Sequence, residues 1–194
     1  MYRHFFKRVL DVMLAGIALV ILSPVLLLSW ILVKIDTPGP YLFLQERLGY
    51  QGRIFSVYKI RTMTHKKREV TNEITKDNAE VTRIGGILRR LKIDELLQLI
   101  NILKGDMSVV GPRPAMPAQI AELNEDGKIR LLVRPGLTGL AQTNGNIFLT
   151  WPERWKYDRK YVEQLSFWLD IKIILKTMVL VFVGEDKFIK KPHA

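Results

Sequence analysis

The chain has 194 residues, 48% of them hydrophobic, and 30 Lys and Arg against 19 Asp and Glu give it a net charge of +11. It has no Cys and only three His, which excludes disulfides and thiolate catalysis and argues against a His-based zinc site or a Ser-His-Asp triad. The length allows one compact domain plus an appendage, and the basic balance suits an anionic partner: nucleic acid, an anionic leaflet or a phosphorylated substrate.

The first element is apolar. Val12 to Val33 is a run of 22 residues without a charge. As a helix it reaches about 33 Å, enough to cross a bilayer core of roughly 30 Å. It is longer than the apolar region of a signal peptide, and no small-residue cleavage site follows it. Ser23-Pro24 sits at its centre. Pro24 removes a donor and should kink the helix, and the Ser23 hydroxyl can bond a carbonyl freed there. Both flanks are basic, with Arg3, Lys7 and Arg8 before the run and Lys34 after it. Lys and Arg prefer the cytoplasmic side, so a helix that enters, bends and returns competes evenly with one that spans.

Asp36-Thr37-Pro38-Gly39-Pro40 reads as a stop and turn. Tyr41 to Leu48 and Arg53 to Met63 are rich in β-branched and aromatic residues, and Gly49-Tyr50-Gln51-Gly52 between them predicts a hairpin. On the second strand, period two places Phe55, Val57, Lys59 and Arg61 on one face. The last two either meet an anion or end a solvated strand. His65 to Thr82 is polar and reads as a loop, and Ile84 to Leu91 as a short helix. Gly127 to Gly145 should be irregular.

Trp151 to Leu165 reads as a helix that interleaves aromatic and basic residues. That mixture fits a bilayer headgroup region, nucleic-acid stacking or an ordinary packed face. Phe167 to Val183 is apolar but carries Asp170, Lys172 and Lys176. Each charge near a bilayer centre costs roughly 2.5–3.5 kcal/mol, so a helix packed on the domain or lying in the interface is expected.

The densest chemistry lies in Arg89-Arg90-Leu91-Lys92-Ile93-Asp94-Glu95. Leu96, Leu97, Leu99, Ile100 and Leu103 follow at helical spacing, and Lys104-Gly105 supplies the stop. Asp94 therefore falls at a helix start, where an Asp is usually a cap. The same place favours anions, and the adjacent Glu95 makes a carboxylate pair able to hold Mg²⁺ or attack phosphorus. In Pro112-Arg113-Pro114 the flanking prolines restrict where the Arg113 guanidinium points, and Arg134 sits in a similar Pro-Gly turn. Walker A and G-x-G-x-x-G patterns are missing, which argues against P-loop and Rossmann nucleotide binding.

Taken in order, the segments resemble a known family. They run from Lys7-Arg8 with Asp11, Ser23-Pro24 and Thr37-Pro38-Gly39-Pro40 to Gln45-Glu46-Arg47 and Tyr58-Lys59-Ile60-Arg61-Thr62-Met63. They continue through Leu88-Arg89-Arg90, Asp94-Glu95-Leu96, Gly105-Asp106-Met107-Ser108, Gly111-Pro112-Arg113-Pro114 and Pro135-Gly136-Leu137-Thr138-Gly139 with Gln142. The chain resembles the bacterial sugar transferases, the monotopic phosphoglycosyl transferases, and is most similar to the compact members that start N-linked glycan assembly in Campylobacter-type bacteria. It departs from many members at Leu97, where they have Pro.

The resemblance implies an α+β, mainly helical fold: a re-entrant membrane helix over residues 1–36, held by Lys7, Arg8, Ser23 and Pro24, then a catalytic domain over 37–194 with interfacial amphipathic helices and a small β-hairpin. It implies an enzyme at the cytoplasmic face of the bacterial inner membrane. That enzyme moves sugar-1-phosphate from a UDP-sugar of the diacetamido-trideoxyhexose type to undecaprenyl phosphate and releases UMP. Asp94 would be the nucleophile and Glu95 its partner, both serving Mg²⁺. Lys59, Arg61, Arg89, Pro112, Arg113, Pro114 and Arg134 would bind the nucleotide sugar or its phosphates. Inner-membrane phospholipid and downstream glycosyltransferases are the other implied partners, and nucleic acid is not.

Overall fold

The computed structural model describes residues 2–64 and 80–183. Most of the stretch from His65 to Thr82, expected as a loop, lies outside the described residues. Its two ends are tied by a bridge between Met63 and Val81 and by a 3.0 Å bond from the Thr64 amide to the Glu80 carbonyl.

Helix α1 runs from Lys7 to Asp36. A break was expected at Ser23-Pro24, yet α1 stays helical through it. The reason is local. Pro24 has no N–H to give the Val20 carbonyl four residues back, and the Ser23 hydroxyl donates to that carbonyl at 2.8 Å. Lys7, Asp11, Ala15, Ser29 and Val33 are buried, with Ala18, Leu19, Leu22 and Leu26 partly buried between them. They recur every three or four residues, so one stripe faces the domain along the whole helix. The other faces carry exposed Val12, Ile17, Val20, Leu27, Ile31 and Ile35. Among the described residues, α1 alone is long and apolar enough to cross a membrane, and only 11% of its most apolar window is buried.

The expected hairpin is present. Strands β1 (Leu42–Leu48) and β2 (Ile54–Ile60) pair antiparallel, with Phe43 opposite Lys59 and Gln45 opposite Val57. Helix α2 covers Arg83–Arg90 and opens on Thr82, whose hydroxyl accepts the Gly85 amide. Helix α3 covers Gln98–Lys104 and closes on Gly105 at φ +95°, a left-handed stop. The fully buried Asn101 of α3 plugs the β2 backbone, accepting from the Tyr58 amide at 3.0 Å and donating to the Ser56 carbonyl at 2.8 Å.

The stretch expected to be irregular is more ordered than its Gly and Pro content suggests. It holds most of α4 (Glu125–Ile129), β4 (Gly136–Thr138) and α5 (Leu140–Thr143). β4 pairs parallel with β3 (Ser108–Val110). A Cβ on Gly136 would lie 2.0 Å from the Gly111 amide nitrogen, so glycine here permits the approach of two backbones. α6 (Trp151–Gln164) opens on a Thr150–Glu153 capping box, and α7 (Phe167–Val183) follows.

Three apolar clusters make the core. Ala15 of α1 packs with Val57, Leu99, Ile102 and Met107, and Val33 of α1 with Ile60, Leu88 and Leu97. Val110, Val133, Tyr161, Val162 and Ile173 form the third, beneath α6 and α7. A buried polar knot joins α1 to this third region. Asp170 accepts from Lys7 Nζ at 2.7 Å, from Tyr2 at 2.6 Å and from Tyr161 at 2.8 Å. α7 buries Asp170 against the domain and leaves Trp168, Leu175, Met178 and Phe182 exposed.

Candidate active site

Asp94 and Glu95 lie in a 3₁₀ turn, Ile93–Glu95, between α2 and α3. Lys92 just before it is left-handed at φ +58°, a strained state for a residue with a Cβ. This geometry bears on the cap reading of Asp94. α3 starts at Gln98 after an N-cap at Leu97, and the turn starts after Lys92, with a side-chain cap bond at neither. Among the described residues, no hydrogen bond or ion pair engages the Asp94 carboxylate. Asp94 is therefore not a cap.

The two carboxylates have opposite environments. Glu95 accepts from Arg113 Nη2 at 2.8 Å and lies 3.6 Å from Lys59 Nζ, with its side chain 15% exposed. Burial alone would raise its carboxyl. The charges of Arg113 and Lys59 and the Arg113 hydrogen bond outweigh that and hold it well below the usual carboxylate range. For Asp94, burial and then the Glu95 charge push the carboxyl up to about 6, against the pull of Lys59, Arg89 and Lys92. The result is one firmly ionised carboxylate in an ion-pair clamp beside one uncommitted carboxylate. Four cations around two negative charges leave the site able to attract a further anion.

Arg113 is aimed by its backbone. The four carbonyls from Pro112 to Ala115 each accept a bond: Pro112 from the Gly136 amide at 2.9 Å, Arg113 from Arg130 Nη2, Pro114 from Arg47 Nη1 at 3.2 Å, and Ala115 from the Leu48 amide at 2.8 Å. β4, the β1 end and a buried arginine thus hold this loop from several sides, and the prolines limit its backbone torsions.

Not every expected ligand gathers here. Lys59 and Arg113 meet at Glu95, while Arg89 bonds the Thr62 hydroxyl at 2.8 Å within reach of the Asp94 charge. Arg61 is buried and spends its fork on the Pro38 and Thr37 carbonyls at 2.7 and 2.8 Å, fastening the turn after α1. Arg134 donates to the Gly105 carbonyl at 2.8 Å and lies over the Tyr50 ring. Sequence reasoning missed Arg130 and Asp158, a buried pair 3.3 Å apart behind Arg113. A signal existed for Asp158. It shares the inward stripe of α6 with Trp155, Tyr161 and Val162, where an ionisable residue needs a partner.

The dyad fits the donor set that Mg²⁺ uses, one or two carboxylates completed by phosphate oxygens and water. Asp94 has oxygens uncommitted to protein, whereas Glu95 is already engaged by two cations. Among the described residues, no group of three or more His, Cys, Asp or Glu side chains converges.

The bacterial sugar transferase family model matches residues 2–184. The chain is 41% identical over 193 residues to the UDP-glucose:undecaprenyl-phosphate glucose-1-phosphate transferase of Caulobacter vibrioides, covering 94% of this chain and 72% of that protein. It is 38% identical over 179 residues to the uncharacterized sugar transferase EpsL of Bacillus subtilis, covering 92% and 88%. It is 37% identical over 187 residues to the UDP-N-acetylgalactosamine-undecaprenyl-phosphate N-acetylgalactosaminephosphotransferase of Aeromonas hydrophila, covering 93% of this chain and 44% of that longer protein. None of these relatives is Campylobacter-type, so that narrower placement gains no support from them. With its motifs and a family model that matches residues 2–184 in agreement, the chain belongs to the bacterial sugar transferase family.

Proposed function

We propose that this protein is a phosphoglycosyl transferase that moves sugar-1-phosphate from a UDP-sugar to undecaprenyl phosphate through a covalent Asp94 intermediate. The observation that carries this reading is the asymmetry of the dyad: Glu95 is bound to Arg113 and Lys59, and Asp94 is left without a partner among the described residues. The names of the relatives supply the reactant classes, a UDP-sugar and undecaprenyl phosphate.

The ionised Asp94 oxygen attacks the phosphorus that carries the sugar. A carboxylate O–P bond forms, the bond to the bridging oxygen breaks, and its electron pair leaves with UMP. The lipid phosphate then attacks the same phosphorus, and Asp94 departs as a carboxylate. Arg113, Lys59 and Arg89 offset the phosphate charge so that two anions can approach. Glu95 keeps Arg113 and Lys59 in place. Mg²⁺ held by Asp94, with Glu95 near, would supply further neutralisation of the diphosphate.

The same reading takes residues 1–36 as a re-entrant anchor and 37–194 as the catalytic domain at the cytoplasmic face. Its support is that both ends of α1 bond one domain. Lys7 meets Asp170, Arg8 donates to the Ile102 carbonyl and Asp11 accepts the Val109 amide; beyond Pro24, Ser29 bonds Tyr41. Single cysteines introduced at Arg3 and Thr37 should label from the same side of the membrane, and labelling from opposite sides would sink the re-entrant topology. The motif resemblance favours a UDP-diacetamido-trideoxyhexose as donor, while the relatives' names carry glucose and N-acetylgalactosamine. Intact mass of the purified chain after incubation with Mg²⁺ and a panel of UDP-sugars, without lipid, tests both points. A phospho-sugar adduct on Asp94 is expected with the accepted donor. UMP that appears only after lipid is added, with no adduct, would replace the covalent route by direct transfer.

A further inference from the structure

Arg113 also borders a cleft that Glu95 does not line, formed with Arg130, Asp158, Gln142 and, from the first turn of α6, Trp151 and Arg154. Two of its residues have polar atoms with nothing to bond among the described residues. Arg130 is 5% exposed. Its Nη2 serves the Arg113 carbonyl and Asp158, while its Nη1 is buried without a partner. Gln142 gives its amide nitrogen to the Leu137 carbonyl at 3.1 Å and leaves Oε1 buried without a partner. Native proteins rarely leave such groups open, so one unmet donor and one unmet acceptor at a single cleft suggest a ligand that offers both. The third feature is an aromatic plane. The Trp151 indole is covered by the Arg154 guanidinium, 4.6 Å from the ring centroid. With that cation in place the cavity is small, about 20 Å³, and a planar ring would take the guanidinium's position on the indole.

The geometry points to this cleft as the seat of the donor's uracil ring: Trp151 stacks on its face, Arg130 Nη1 donates to a ring carbonyl and Gln142 Oε1 accepts the N3–H. The assignment rests on the proposed use of a UDP-sugar. The edge of uracil presents carbonyl, N–H and carbonyl in a row, which suits a donor beside an acceptor. Cytosine has no N3–H and can meet the same pair only through N4–H and N3, which shifts the ring by one position on the indole, so this pose favours uracil. Arg113, which bonds Glu95 and also lines this cleft, then stands where the diphosphate passes between base and reacting phosphorus.

The test is inhibition of UDP-sugar turnover by UMP, CMP and ribose 5-phosphate, with the full chain in nanodiscs. UMP should inhibit at concentrations about tenfold below those of the other two, the scale of one stacked and hydrogen-bonded base. Trp151→Ala should raise the donor KM by about tenfold with kcat little changed and weaken inhibition by UMP. Gln142→Met should narrow the gap between UMP and CMP. Equal inhibition by all three compounds in the parent chain overturns the base site, and that comparison needs no variant to fold. So does a Trp151→Ala chain with unaltered KM and unaltered UMP inhibition. A parent chain that releases no UMP from any UDP-sugar refutes the donor reading itself, which separates the two failures.

Discussion

Replacing Asp94 with Asn probes the dyad without any substrate. The Asp94 carboxyl titrates at about 6 in the folded chain against 3.8 for an ordinary aspartate. A raised carboxyl means that the folded state binds this proton more tightly than the unfolded state. Below about pH 4 both states hold the proton and no stability is lost. As pH rises from about 4 to 6 the unfolded chain ionises first, and the native state is progressively destabilised. Above that window the gap between the two values corresponds to about 3 kcal/mol. Asn keeps the size and removes the charge. Asp94→Asn should therefore be more stable than the parent at pH 7.5 by about 2–3 kcal/mol, or about 4–12 °C in Tm for a chain of this length. At pH 4 the two should coincide. Thermal unfolding in nanodiscs, followed by Trp fluorescence from pH 4 to 8, measures this directly. A capping aspartate gives the opposite sign, a loss of about 1 kcal/mol on removal. A variant less stable than the parent at pH 7.5, or a gap that persists at pH 4, refutes the claim that Asp94 is a charge held against its surroundings.

Turnover should depend on the same group. If ionised Asp94 is the attacking species, kcat/KM falls about tenfold per pH unit below about 6, and a profile flat down to pH 5 would exclude that role. Lys7→Met breaks the 2.7 Å pair with Asp170, whose side chain is 6% exposed, and should cost about 3–5 kcal/mol by denaturant unfolding. The double variant Lys7→Met with Asp170→Leu should recover part of that loss, because the stranded Asp170 charge is removed, while the buried Asp11, 3.8 Å from Lys7, still loses its cation and keeps the recovery incomplete. Gly136→Ala forces a Cβ to 2.0 Å from the Gly111 amide nitrogen. It should cost about 3 kcal/mol and sharply lower activity by displacing Pro112 and Arg113, whereas an unchanged Tm would show that the β3–β4 approach is not required.

Features set by neighbouring residues were legible before any coordinates. The apolar run, the hairpin around Gly49-Tyr50-Gln51-Gly52, the bounds of α2 and α6 and the pairing of Ser23 with the carbonyl freed by Pro24 all follow from spacing and backbone chemistry within a few residues. So does the adjacency of Asp94 and Glu95. Their division of labour does not, because it comes from Lys59 on β2 and Arg113 beyond β3, which form their ion pairs with Glu95. Lys59 and Arg61 share a strand face, yet one meets the dyad and the other ties down Thr37 and Pro38. Arg113 and Arg134 sit in similar proline turns, yet among the described residues Arg113 reaches a carboxylate and Arg134 a backbone carbonyl. Arg130 and Asp158 find each other across 27 intervening residues. Periodicity assigns a residue to a face, whereas the partner of a long charged side chain depends on which distant segment packs there, and that was decided only when α1 and the hairpin packed with α2 and α3, and α6 and α7 packed on β3.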